Sequence, residues 1–156
     1  MKRAIIFYSL SDNTKEAAEY LAKKLNIDLY RIELIKPMPD KMWKRILIGG
    51  MQSSCGMTPK IKGVPENLDE YDEIILGTPI WAGKAASPIT SLLKNAGVAD
   101  KVVAVFTYSG GGDNEKCIIN LAKELKNMRR NVALADRSNG ASSNNYDKLD
   151  EFIEGI

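Results

Sequence analysis

The sequence predicts one α/β domain, a doubly wound five-stranded parallel sheet with helices on both faces. Three observations carry that expectation. Short β-branched runs alternate strictly with stretches of helical period, in the order βαβαβαβαβα. Consecutive parallel strands need a crossover, and helical crossovers cover both faces of a sheet. The chain has 156 residues, enough for one domain with a full core. Residues 1–156 read as a single domain, without internal repeats, low-complexity segments or a linker.

Residues 3–8 are β-branched and aromatic and form the first strand. Residues 13–25 switch to helical period, with Ala17, Ala18, Leu21, Ala22 and Leu25 on one face. Residues 27–34 alternate through Ile27, Leu29, Ile32 and Leu34, with a slip at Arg31, and read as the second strand. Pro37 and Pro39 break the chain before a helix over 41–53 that carries Met42, Trp43, Ile46 and Leu47. Residues 56–67 are a Gly- and Pro-containing loop. The third strand, 73–76, ends at Gly77. Pro88 in a first-turn position opens a helix with Ile89, Leu92 and Leu93 inward. Residues 101–106 are Val-rich and free of internal charge, so this fourth strand is central. A helix over 114–128, a fifth strand over 131–135 and a last helix over 144–153 complete the order. Right-handed crossovers leave two layouts, strand order 3-2-1-4-5 or 2-1-3-4-5, and periodicity does not separate them.

Composition excludes several function classes. Apolar residues make up 44 % and charged residues 27 %, an ordinary globular balance. The longest apolar runs, such as 102–106, are far too short for a bilayer. Residues 4–8, after Met1-Lys2-Arg3, are shorter than a secretory apolar region. The expectation is a cytoplasmic protein with no membrane partner. There is no histidine, and Cys55 and Cys117 are isolated, which offers no ligand set for zinc or an iron–sulfur cluster. A Ser-His or Cys-His nucleophile pair is likewise ruled out within this chain. Two cysteines are too few for a disulfide scaffold, and reduced thiols are expected, with a single bridge between them the alternative. The net charge of +2 points to no particular partner. Locally, six cations stand against Asp40 between residues 36 and 63, a surplus of +5, followed by Glu66, Asp69, Glu70, Asp72 and Glu73. A run of this kind is a solvated face or a dock for an acidic partner. No nucleic-acid motif accompanies it, so nucleic acid is not an expected partner.

Three loops at strand ends have unusual composition, and ligands of open parallel sheets bind beyond those ends. Ser9-Leu10-Ser11-Asp12-Asn13-Thr14 offers hydroxyls and an amide where a helix N-terminus presents unpaired N–H groups, as a phosphate site requires. Ordinary helix capping is the alternative reading. Neither the Walker pattern nor G-x-G-x-x-G is present. Thr78-Pro79-Ile80-Trp81-Ala82-Gly83, followed by Lys84, is placed to expose the Trp81 ring face, or packs that ring into the core or on a helix flank. Thr107-Tyr108-Ser109-Gly110-Gly111-Gly112-Asp113 lets backbone approach a flat ligand, or is a flexible turn. Strands one, three and four are neighbours only in the 2-1-3-4-5 order. Side by side, the three loops suit a phosphorylated planar cofactor.

These residues resemble the flavodoxin family. Ser9-x-Ser11-x-Asn13-Thr14 is similar to its FMN phosphate loop, [ST]-x-[ST]-G-N-T. Residues 71–83, through Gly77-Thr78-Pro79-Ile80-Trp81-Ala82-Gly83, and residues 106–112 resemble the strand-three signature and third loop of a flavodoxin-like subfamily. The resemblance covers essentially the whole chain. It implies the 2-1-3-4-5 sheet and non-covalent FMN cycling between oxidised, semiquinone and hydroquinone states. The first loop would hold the phosphate and the other two would flank the isoalloxazine, Trp81 in contact with it and Tyr108 second in line. It implies partners such as a flavodoxin reductase or ferredoxin-type donors and acceptors. Three features depart from the pattern. Asp12 replaces the usual Gly, so its carboxylate must turn from the phosphate. The chain lacks the strong acidity of many carriers. Lys84 lies just behind the second loop, where an ammonium near the ring would favour the reduced anion. Only residues 136–143 separate the last strand from the last helix, so the long-chain insertion is absent. The expected function is electron transfer. An NAD(P)H-dependent FMN or quinone reductase is the alternative enzyme reading, and a flavin-free regulatory domain the third.

Overall fold

A computed structural model describes residues 1–138 and 140–156; of the expected 136–143 connection, Asn139 lies outside the described residues. The strands are β1 (Arg3–Phe7), β2 (Asp28–Arg31), β3 (Glu33–Leu34), β4 (Ile61–Lys62), β5 (Glu73–Trp81), β6 (Lys84–Ala85), β7 (Val102–Ser109) and β8 (Arg130–Ala135). The helices are α1 (Asn13–Leu25), α2 (Met42–Ser54), α3 (Ser87–Asn95), α4 (Glu115–Leu121) and α5 (Asn145–Glu154). The main sheet runs β2-β1-β5-β7-β8, all parallel, which is the 2-1-3-4-5 order. Strand direction reverses its stepping between β1 and β5, and a crevice opens there.

Each face of the sheet has its own core. Ile5, Phe7, Ile75, Ala104 and Phe106 pack on Ala17, Ala18 and Leu21 of α1 and on Leu149 and Phe152 of α5. Ile6, Ile74, Leu76 and Val105 pack on Ile89, Leu92 and Leu93 of α3 and on Cys117 and Leu121 of α4. The side chains of β1 and β7 are buried almost throughout, as strands covered on both faces require.

Several elements differ from expectation. The second strand divides. Asp28–Arg31 joins β1, whereas Glu33–Leu34 leaves the sheet and pairs antiparallel with β4 inside the 56–67 loop. The slip in alternation at Arg31 marks that division. The third strand continues past Gly77: Thr78 and Pro79 pair with Thr107 and Tyr108, and Ile80 and Trp81 fold back on Ala85 and Lys84. The turn between them, Ala82 at φ 50° and Gly83 at φ 75°, has the two positive φ values of a tight two-residue hairpin. The fourth strand likewise runs on to Ser109 rather than stopping at Phe106. The helix expected over 114–128 is regular only to Leu121, and a series of turns brings Leu125 into the core. In α2 the inward face is Gly49 and Ser53, and Met42, Trp43, Ile46 and Leu47 face solvent. Cys55 and Cys117 are free thiols, the first exposed and the second buried.

Candidate functional site

The site is assembled from the ends of β1, β5 and β7. Its first wall is the turn from β1 into α1. Asp12 takes the left-handed conformation at φ 64°, so that α1 starts at the next residue without a glycine in the turn. An L-residue pays roughly 1–2 kcal/mol for that backbone, and Asp bears it better than most. The Asp12 carboxylate points outward to Arg31, 3.6 Å from Nη2, as the phosphate reading requires. Arg31, at the end of β2, also donates from Nη2 to the Ser9 carbonyl at 2.9 Å. The cation thus grips the loop from outside at two points.

Inside the turn, the Ser9 hydroxyl accepts from the Lys15 N–H at 3.2 Å, and the Glu16 N–H reaches the Asp12 carbonyl at 3.0 Å. The N–H groups of Ser11, Asp12, Asn13 and Thr14 have no hydrogen-bond partner among the described residues. No side chain caps α1 in the usual way. A simple cap would satisfy one of these donors; here several are left for a ligand. Free amides, the hydroxyls of Ser11 and Thr14, and the positive end of a 13-residue helix form an anion cradle. Ser9 is buried behind it.

The second wall is the β5–β6 hairpin. Thr78 is fully buried; its hydroxyl donates to the Pro79 carbonyl and accepts from the Ala86 N–H, so it braces the hairpin rather than facing a ligand. Trp81 is half-buried. Its ring meets Tyr8 edge-on, centroids 5.5 Å apart at 89°, and lies so close to α2 that a Cβ on Gly49 would sit 3.2 Å from it. Both readings of Trp81 therefore hold in part: one side packs on a helix flank and the other faces the cavity. Gly83 lies at the turn, away from the cavity. Lys84 is the expectation the structure overturns. Its ammonium donates to the Ser54 carbonyl at the end of α2, 3.3 Å away, because the hairpin turns its side chain to the back of the wall.

The third wall is the end of β7. Tyr108 lines the cavity, whereas Thr107 is buried and its hydroxyl donates to the Val132 carbonyl. The glycine loop is fastened at its root. The Ser109 hydroxyl donates to the Asp113 carbonyl at 3.1 Å and accepts from the Gly112 N–H at 2.9 Å, and the Asp113 carboxylate caps the Glu115 N–H. Gly110 faces the cavity, while Gly111, Gly112 and Asp113 stand outside it.

Between the walls lies a cavity of about 140 Å³ lined by Leu10, Ser11, Asn13, Thr14, Pro79, Ile80, Trp81, Tyr108, Ser109, Gly110 and Asp136. A second, more apolar cavity of about 270 Å³ adjoins it. The two share Leu10, Ser11, Ile80 and Trp81, and Ala82, Met42, Arg45, Ile46 and Gly50 complete the second. Burial pushes the Tyr8 phenol, behind Trp81, up to about 12 and also raises that of Tyr108, which lines the cavity, so both stay neutral. Among the described residues no lysine or arginine lines the first cavity, so an anion there would rely on neutral donors and the helix end, with the Asp136 carboxylate in the same lining. Arg31 and Asp136 are the residues that sequence reasoning did not assign. Asp136 lines the cavity and accepts from the Asn13 amide at 3.3 Å. The sign of Arg31 was its place as a charge among the apolar positions of strand two.

The profile of the flavodoxin family matches residues 2–156. Among solved structures, a candidate flavoprotein from Bacteroides eggerthii superposes with a TM-score of 0.75 at 25 % identity, over 97 % of this chain and 98 % of the other. A flavoprotein from Lactobacillus acidophilus, solved in complex with FMN, gives 0.68 at 25 % identity, over 83 % and 89 %. A short-chain flavodoxin associated with a bacterial microcompartment gives 0.55 at 12 % identity, over 100 % and 97 %, a likeness of fold. No curated protein matches the sequence significantly.

Proposed function

The chain belongs to the flavodoxin family, and on that premise we propose that it binds FMN non-covalently at the β1–β5 switch point and transfers electrons through it. The carrying observation is the meeting, in one cavity, of unpaired amides at the start of α1 with the Trp81 and Tyr108 walls. An anionic tail fits the first and a flat aromatic head fits the others. The FMN carried by the Lactobacillus acidophilus relative supports the choice of ligand.

When bound, the flavin supplies one- and two-electron chemistry, and the protein supplies binding, orientation and access. The residues divide that work. Ser11, Thr14 and the amides of 11–14 hold the phosphate, and Ser9 stiffens the turn behind them. Arg31 draws the Asp12 charge away from the phosphate. Pro79, Ile80 and Trp81 form one side of the slot for the ring, and Tyr108, Ser109 and Gly110 the other. Asp136 fixes the Asn13 amide at the entrance. No side chain is asked to act as acid or base.

The partners in this reading are redox proteins such as a flavodoxin reductase or ferredoxin-type donors and acceptors. The setting in this reading is the cytoplasm, where two unpaired thiols stay reduced. One observation favours the alternative, an NAD(P)H-dependent FMN or quinone reductase: the adjoining apolar cavity offers room for a second small molecule beside Trp81. An anaerobic reductive titration of purified protein decides. Bound FMN that is reduced by NAD(P)H only when a separate reductase is added supports the carrier. Bleaching by NAD(P)H alone, with turnover on a quinone, replaces it with the enzyme. Protein that takes up no FMN refutes both.

A further inference from the structure

We propose that the outward face of α2 is the docking surface for an acidic protein, seated beside the mouth of the candidate pocket; that the partner is a redox protein rests on the flavin reading above. The helix turns Gly49, Ser53 and Ile48 toward the core and displays its other large residues. Met42, Trp43, Ile46, Leu47 and Met51 form one stripe at helical spacing, with exposures from 52 % for Met51 to 72 % for Met42. Single exposed apolar residues are ordinary, but a contiguous stripe of five is not. Trp and Met are the residue types enriched at the centres of protein interfaces, and Met adapts its shape to a partner.

Charge selects the occupant. From residue 41 to residue 65 there is no Asp or Glu, against Lys41, Lys44, Arg45, Lys60 and Lys62. Lys62 is paired with Glu33, and Arg45 is held by the Pro39 carbonyl at 2.6 Å. Lys41 and Lys44 are exposed and make no ion pair among the described residues, and the Lys44 ammonium lies 5.5 Å over the Trp43 ring. The stripe therefore has an apolar centre and a cationic edge, beside which Asp40 is the one exposed carboxylate and makes no ion pair among the described residues. A second copy would bring the same cations face to face, since a two-fold interface pairs a patch with itself. A partner with an apolar centre and a carboxylate rim satisfies both parts. Position supplies the functional link. Met42 and Ile46 belong to the stripe and also to the cavity shared with Trp81 and Ala82, so a body seated on α2 covers that cavity and rests near the redox slot.

The test uses the full chain, wild type and the Leu47→Asp and Lys44→Glu variants, neither of which touches the candidate pocket. The probe is a plant-type [2Fe–2S] ferredoxin, an acidic one-electron protein, titrated calorimetrically in low and high salt. FMN uptake and sedimentation are measured on the same samples. We expect saturable binding by the wild type that weakens about tenfold or more with added salt, as screening of opposite charges requires. Each variant should bind at least about tenfold more weakly at low salt, with FMN uptake unchanged. Absence of ferredoxin binding, or equal binding by all three proteins, overturns the docking surface. So does a wild-type dimer that the variants split while ferredoxin binding stays the same, which would make the stripe a self-interface. Capture of the wild type but not Leu47→Asp by phosphatidylserine vesicles, with ferredoxin binding unaltered, would assign it to a membrane instead. A chain that takes no FMN but binds ferredoxin through the stripe refutes the flavin reading and leaves the surface standing.

Discussion

Replacing Arg31 with Gln is expected to weaken FMN binding by about tenfold and to leave riboflavin binding unchanged. The guanidinium donates to the Ser9 carbonyl at 2.9 Å and stands 3.6 Å from the Asp12 carboxylate. Losing a hydrogen bond from a charged donor costs about 1.5–3 kcal/mol, and the lower end applies because water reaches a side chain 35 % exposed. The ion pair itself adds about 0–1 kcal/mol, since the Asp12 carboxylate is largely in solvent. Without Arg31, that carboxylate faces the phosphate uncompensated, a repulsion of about 1 kcal/mol at water-like dielectric and 4 Å. Only the part that distorts the cradle or repels the ligand appears in binding, which leaves about 1–2 kcal/mol, or roughly 5–30-fold. The Asp12→Gly background sharpens the argument. Gly needs no restraint at φ 64° and carries no charge, so Arg31→Gln should there cost about threefold or less. The assay is quenching of flavin fluorescence on titrating apoprotein into FMN or riboflavin. An unchanged FMN affinity, an equal loss for riboflavin, or losses that simply add across the two backgrounds would each refute the reasoning.

Thr14→Ala should weaken FMN by about 1.5–3 kcal/mol in the same titration, and Ser9→Ala by less, because Ser9 acts through the Lys15 N–H behind the turn; unaltered affinity in both would remove the phosphate from this turn. Flavin fluorescence should be strongly quenched in the wild type and partly restored in Trp81→Leu, whereas equal quenching would place the ring away from Trp81. Lys84→Gln should leave the flavin midpoint potential unchanged in spectroelectrochemical titration at low salt, because the ammonium is bound to the Ser54 carbonyl; a fall would show that it reaches the ring. Burial pushes the Cys117 thiol up to about 12, so from about pH 8.5 the unfolded chain loses this proton before the folded one does. Stability to urea should accordingly fall as pH rises above about 8.5, and less steeply in Cys117→Ala; identical slopes between pH 8.5 and 10 would contradict the assignment.

The order of elements was legible because strands covered on both faces are bare apolar runs and helices show their period. The strand order came from the three loops together, which only one of two layouts places side by side. The loops themselves were misjudged as structure. Pro79 and Gly77 read as a strand's end, but Pro79 needs no donor where its carbonyl takes the Ala86 N–H, and β5 continues to Trp81. The misplacement of Lys84 follows from that error, since in a hairpin the side chain of a given residue faces one side only. Arg31 was visible as an interruption, yet its reach to Ser9 and Asp12 depends on the register of β2 against β1, which no local pattern reveals. The orientation of α2 was hidden for a related reason. Its large apolar residues satisfied the expected period, and only the tight approach of Gly49 to Trp81 shows that the small side is the inner one.

The β5–β6 hairpin makes one rim of the pocket an extension of the sheet itself. The Ala86 N–H is tied to the Pro79 carbonyl and to the Thr78 hydroxyl, and Thr78 and Pro79 are in register with β7. Opening that rim breaks the hairpin pairing and the two ties of the Ala86 N–H, whereas the turns at 9–14 and 110–113 lie outside the sheet ladder. Ligand traffic is thereby assigned a direction. On the FMN reading a cofactor would enter and leave past the two turns, beside a Trp81 wall held by pairing within the hairpin and with β7.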